Sequence, residues 1–176
     1  MGILLALFLS CFNTQEFSLL KVANIEPVQT YTLGVPVQKA IWKDEPRIRI
    51  CESTEVKMYR AQKAIKFWEM LGYEFDGVRM DGTLNCADPR HGEIIVTLPE
   101  GNIDENHMAA TRIFTEKVTG HIAKAKIFIY PKYAPRDRVL EHELGHALGW
   151  SHYNQKFHLM HPNWHQGGYD RSGLRK

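Results

Sequence analysis

The stretch EHELGHALGWSH, Glu141 to His152, decides how the rest of the chain is read. His142 and His146 are four residues apart, which on a helix places them on one face about a turn, roughly 5–6 Å, from each other. Two imidazoles at that spacing can bind one metal ion at about 2.0–2.1 Å. Glu143 follows the first histidine and points beside such an ion, where a carboxylate can take a proton from a water. A helix running on past Leu148 would carry His152 away. Gly149 lets the backbone turn with φ > 0, where other residues meet a steric penalty. The chain then doubles back and His152 completes a three-histidine set. Leu140, Leu144 and Ala147 face another way and anchor the helix to a sheet. The pattern HExxHxxGxxH has five fixed residues, and at average usage it arises by accident in roughly one chain in 10⁵. That makes it specific.

The chain around it is ordinary for one domain. It has 176 residues, 44% of them apolar, enough for a core. A net charge of +2 without a basic stripe gives no reason to expect nucleic acid as a partner. At the N-terminus, MGILLALFLSC carries an apolar run from Ile3 to Leu9. It is too short to span a bilayer, which takes about 20 residues, and it resembles the apolar part of a signal peptide. Residues 1–11 are therefore expected to be an export signal. Ser10 before Cys11 also allows a lipoprotein signal with Cys11 lipidated, so the product is secreted or lipid-anchored to the cell envelope. The alternative is an apolar first strand.

Residues 12–46 show no clear period and contain Pro27, Pro36 and Pro46, so they read as a linker or an extended wrap onto the domain. The domain itself is expected to span 47–176. RIRIC (Arg47 to Cys51) alternates like a strand. A helix is expected from about Thr54 to Leu71, with Ser53 as N-cap and Gly72 at its C′ position. YEFDGVRM and EIIVTL (Glu93 to Leu98) read as strands, AATRIF (Ala109 to Phe114) as a weak one. HIAKAKIFIY alternates, with Ala123, Ala125, Ile127 and Ile129 on one face and Lys124 and Lys126 on the other, as in a half-buried strand. The last helix is placed at Pro135 to Leu148, with Pro135 in its first turn. This order predicts an α/β (α+β) domain with a twisted mixed sheet and two long helices. Cys51 and Cys86 form an even pair, which in an exported chain suggests a disulfide, with two free thiols as the alternative.

HELGHALGWSH resembles the zinc-binding motif of the metzincin metallopeptidases. The downstream LMHP, Leu159 to Pro162, is similar to that clan's Met-turn, with Met160 beneath the metal, and the spacing is similar to the matrixin branch. The resemblance implies a zinc endopeptidase with one catalytic Zn²⁺ held by His142, His146 and His152, with Glu143 as general base. It also implies a sheet over a cleft, a small C-terminal subdomain after His152, and a monomer. Pro162 and Trp164 are similar to the matrixin wall of the pocket for the residue after the scissile bond, with Leu140 as its floor. An extended peptide or protein substrate would add to an exposed sheet edge around Ala109 to Phe114.

This chain also departs from the pattern. Tyr153 stands where matrixins carry Ser, and His161 where they often carry Tyr. The segment before the motif is too short for the loop that holds structural zinc and calcium in vertebrate matrixins, so calcium is not expected. Residues 12–46 hold no cysteine-switch motif, and Cys86 near Asp88 and Pro89 is a remote candidate for an inhibitory zinc ligand. Two other functions fit the sequence: a non-catalytic, zinc-stabilised binding module, or an effector peptidase dedicated to one partner.

Overall fold

The computed structural model describes residues 12–21 and 34–176, except 85, 102 and 104–106. Residues 1–11, where an export signal and a lipidated Cys11 are expected, lie outside the described residues. The chain builds a mixed α/β fold whose main sheet comprises β2 (Arg47–Cys51), β3 (Val78–Asp81), β4 (Glu93–Thr97), β5 (His107–Glu116) and β6 (Ile122–Ile129). Two helices, α1 (Met58–Glu69) and α2 (Val139–Ala147), pack with it. A further strand, β1 (Phe12–Lys21), runs antiparallel to β5, giving the order β1-β5-β6-β4-β2-β3. β2, β3, β4 and β6 are mutually parallel, and β5 is antiparallel to β6.

β1 bears on two expectations. Of the two readings of residues 12–46, linker or extended wrap, 12–21 follow the second, as a strand laid along β5, and the β5 edge is not exposed. Its register runs from Phe12 opposite Glu116 to Lys21 opposite His107, so Ala109 to Phe114 already have a main-chain partner.

The alternation in β6 also misled. Its residues are buried on both faces, and Lys126 is only 8% exposed. β6 is a central strand, and on its second face Phe128 clusters with Ala110 of β5 and with Ile103, with Tyr130 packed against them. The Lys126 ammonium lies 2.9 Å from Asp88 and 3.1 Å from Glu100, which keeps the buried stem compatible with a charged head.

Both helices start later than their sequence signals. α1 begins after a 3₁₀ turn at Glu52–Thr54, and its N-cap is Lys57 rather than Ser53. Gly72 does adopt φ +92° just past its end. Ahead of α2, Pro131–Tyr133 form another 3₁₀ turn, so Pro135 precedes the helix instead of opening it. Arg138, with φ +69°, is the N-cap. Cys51 and Cys86 are joined in a disulfide beside Ile95. That removes Cys86 as an inhibitory metal ligand, because a bonded sulfur has no thiolate to offer.

One buried ion pair fixes α2 against α1. Arg60 donates from Nη1 to Glu141 Oε1 at 2.8 Å and from Nη2 to Oε2, with both side chains almost fully buried. Trp68 Nε1 donates to the Glu141 carbonyl at 2.8 Å. Arg60→Ala should strand Glu141 in the core and destabilise the chain by about 3–5 kcal/mol. Denaturant unfolding measures this. A loss under about 1 kcal/mol would mean water reaches Glu141.

Candidate metal centre

Every residue of α2 is buried, including His142, Glu143 and His146. A helix with polar groups so placed needs partners for them. His142 Nδ1 donates to the Leu159 carbonyl and His146 Nδ1 to the Trp150 carbonyl, both at 2.7 Å. A carbonyl can only accept, so each Nδ1 carries the proton and each Nε2 keeps a lone pair. Those two Nε2 atoms lie 3.0 Å apart. Facing lone pairs at that distance repel, and a cation between them removes the repulsion. His152 is partly exposed, and its ring centroid is 5.4 Å from that of His142 and 4.7 Å from that of His146. One ligand atom from each of the three histidines falls within 4.8 Å of the others, so the triad can hold a metal ion.

Burial, above all, lowers the histidines' affinity for protons. It brings His142 to about 4 and His152 to about 3, and it holds His146 well below its ordinary value. At neutral pH all three are uncharged, so no proton competes with a metal. Glu143 responds in the opposite sense. Burial pushes its carboxyl up to about 8, partly offset by a hydrogen bond from Thr111. Thr111 Oγ1, on β5, donates to Glu143 Oε2 at 2.6 Å and lies 3.2 Å from the Glu143 carbonyl oxygen. Oε1 has no protein partner. A divalent cation next to that carboxyl would favour its ionised form.

Gly149 has φ +94°, as the sequence requires of a turn that brings His152 back. A Cβ there would also lie 1.9 Å from the Ala40 carbonyl oxygen. Gly145 had no role in the sequence reading and has one here. A Cβ on it would meet Met160 Sδ at 2.5 Å and Trp68 Cζ2 at 2.8 Å, so its bareness admits Met160 under the helix. Met160 is fully buried, and the Tyr153 amide donates to its carbonyl at 2.9 Å.

The neighbouring histidines hold the turn. His158 Nδ1 accepts from the Met160 amide at 3.1 Å, and His161 Nδ1 from the Asn163 amide at 3.0 Å. Among the described residues, the triad is the one cluster able to hold an ion. Leu140 is buried in the core and Pro162 is partly exposed. Trp164 lies over the start of α2: its Nε1 donates to the Asp137 carbonyl at 3.2 Å, and the Arg138 guanidinium sits 4.5 Å from its ring centre. Neither Thr111 nor Arg138 carried a sequence signal, since both reach the site through contacts between distant segments.

Gly149→Val should weaken divalent-metal binding, probed with Zn²⁺, roughly 10–100-fold without touching a triad histidine, as changes just outside a coordination shell do. Competition titration against a chromogenic chelator reads it, and unchanged affinity would show that the turn does not place His152.

The metal-free chain should be most stable near neutral pH. The histidines, with folded values below about 6.5, take protons first in the unfolded chain, so stability falls as pH drops from about 6.5 towards 4. Glu143 is raised, so the folded chain keeps its proton longer, and stability falls as pH rises from about 4.5 towards 8. Where the two windows overlap, three imidazoles outweigh one carboxyl. Melting curves of the chelated chain should therefore peak near pH 6.5–7, and Glu143→Gln should remove the decline above the peak. A curve still falling towards pH 8 in that variant would contradict the assignment to Glu143.

Neither a protein-family model nor a curated protein matches the chain, so its function is read from the site alone.

Proposed function

We propose that this chain is a zinc-dependent endopeptidase of the metzincin type. The observation that carries the proposal is the convergence of three neutral imidazoles beside a buried carboxyl with one unpartnered oxygen. Three nitrogen ligands with a fourth position left open are the donor set of a catalytic zinc site. When bound, zinc supplies Lewis-acid polarisation of a peptide carbonyl and lowers the pKa of a water at the open position.

The chain's own residues do the rest. The Leu159 and Trp150 carbonyls orient the two helical imidazoles and hold their tautomers. Glu143 takes a proton from the attacking water and passes it to the leaving amine, so the C–N bond breaks as the new C–O bond is completed. Met160 packs against Gly145 and seats the turn that supplies the Leu159 carbonyl. α2 packs against β5 and β6 of the sheet, and the turn after His152 reaches it through the Leu159 carbonyl and Met160, an arrangement that suits a cleft between an upper and a lower part. Pro162 and Trp164 form the wall of the pocket after the scissile bond, favouring apolar residues there.

A peptide that pairs with β5 has to take main-chain groups now used by β1, so long substrates displace β1. Export fits the Cys51–Cys86 disulfide, which persists in oxidising compartments. A purely structural zinc site is the weaker reading, because such a site gains nothing from an unpaired carboxyl oxygen buried beside it.

Glu143→Ala should retain one zinc per chain and the wild-type circular dichroism while peptide cleavage falls about 10²–10⁴-fold or more. A chelator should abolish wild-type cleavage, and zinc should restore it. Cleavage by the variant within a few-fold of wild type would remove Glu143 as the base. A wild-type chain that binds zinc and cleaves no peptide in a broad library would favour the binding module.

A further inference from the structure

Glu143 has two oxygens and only one job for them in the proposed reaction. The terminal torsion of a glutamate has a broad, roughly two-fold well, so the residue itself does not decide which oxygen faces the water. Something outside it must. Thr111 is 1% exposed and Glu143 fully buried, so the group that decides is drawn from the side chains packed around the carboxyl. Thr111 sits on the face of β5 that carries Ala109 and Ile113 into the core against α2. Its backbone is paired on both sides, opposite Ile127 of β6 and Ser18 of β1, which leaves its hydroxyl as the part free to turn. The hydroxyl donates to Oε2 at 2.6 Å, and it lies within 3.2 Å of the same residue's carbonyl oxygen. Oε1 is left without a protein partner.

The geometry points to Thr111 as the positioning residue of Glu143: by holding Oε2 it fixes the carboxyl plane and reserves Oε1 for the proton of the attacking water. This rests on the endopeptidase reading. Thr111 touches neither substrate nor metal, and acts only through Glu143. The residue type is specific to the task. Valine has nearly the same shape and no hydroxyl, whereas serine keeps the hydroxyl and drops the methyl group.

The test compares Thr111→Val and Thr111→Ser in the zinc-loaded full chain. The valine variant should lose roughly ten- to hundredfold in kcat, the worth of one hydrogen bond to a charged group, with KM, zinc content and melting temperature near wild type. The serine variant should recover kcat to within a few-fold. Valine activity within twofold of wild type would overturn the proposal. So would equal losses in both variants accompanied by lost zinc or a lower melting temperature, since those mark a packing role.

A second readout needs neither metal nor turnover. In the metal-free chain labelled with ¹³C-carboxyl glutamate, the signal that disappears in Glu143→Gln belongs to Glu143. It should shift in Thr111→Val and stay in place in Thr111→Ser. An unmoved signal in the valine variant overturns the contact itself. If the wild-type chain cleaves nothing, the endopeptidase reading fails, while this signal still decides whether Thr111 holds Glu143.

Discussion

At Gly149 a helix of buried polar residues ends, and the way it ends organises much of the molecule. The last turn of any helix leaves carbonyls without intrahelical partners. Here the segment before β2 supplies them. Trp42 Nε1 donates to the Ala147 carbonyl and Gln38 Nε2 to that of Leu148, both at 2.8 Å, and the Lys39 amide donates to that of Gly149 at 2.8 Å. The Ser151 amide returns a bond to the Val37 carbonyl at 2.9 Å. The approach is so close that the Ala40 carbonyl occupies the space a Cβ would need at 149. The positive φ and the docked segment are thus one constraint. Together they hold the loop that carries His152.

α2 also carries two buried carboxyls, Glu141 and Glu143, two positions apart and on different faces, and the fold treats them differently. Glu141 receives a guanidinium, so its charge is compensated by protein. Glu143 receives one hydroxyl and no cation from the chain. Compensating both with arginine would have neutralised the field at the triad. Leaving both uncompensated would have been costly, since an unpaired buried charge is worth several kcal/mol. The asymmetry leaves one carboxyl paired with a guanidinium and the other held by a hydroxyl alone within a single helical turn.

How much of this was legible in the sequence follows from which forces are local. The triad and Gly149 could be read because helical spacing and a φ > 0 turn are properties of neighbouring residues. β4 could be read for the same reason, as a run of β-branched residues, and β6 from the alternation along it. The start of α2 could not, because Arg138 in a left-handed conformation is set by tertiary contacts, with its guanidinium on Trp164 and donating to the Trp164 carbonyl. Pro135 looked like a helix opener and lies in the approach to the helix instead. The lysines of β6 suggested a wet face, and only the loop packing over Ile103 and Phe128 shows otherwise. β1 was hidden because Phe12 to Lys21 has no clean alternation. Thr111, 32 residues before Glu143, was hidden because a side-chain contact between strand and helix leaves no period behind.

The same burial that makes the triad neutral ties a bound metal to the fold. Three imidazoles held below their ordinary pKa are already in the form that binds a cation, so little proton release accompanies binding at neutral pH. In the unfolded chain the three side chains are separated by flexible backbone and have no common focus. A ligand that binds the folded chain in preference to the unfolded one stabilises it by RT ln(1 + [L]/Kd), about 4 kcal/mol at a thousandfold excess over Kd. That gain offsets the cost of two lone pairs facing across 3.0 Å and of a carboxyl raised by burial. Polar groups that are a liability to the bare chain become mutually satisfied around a cation. The repulsion a metal would relieve at this site is therefore the same feature that suits the three imidazoles to holding one.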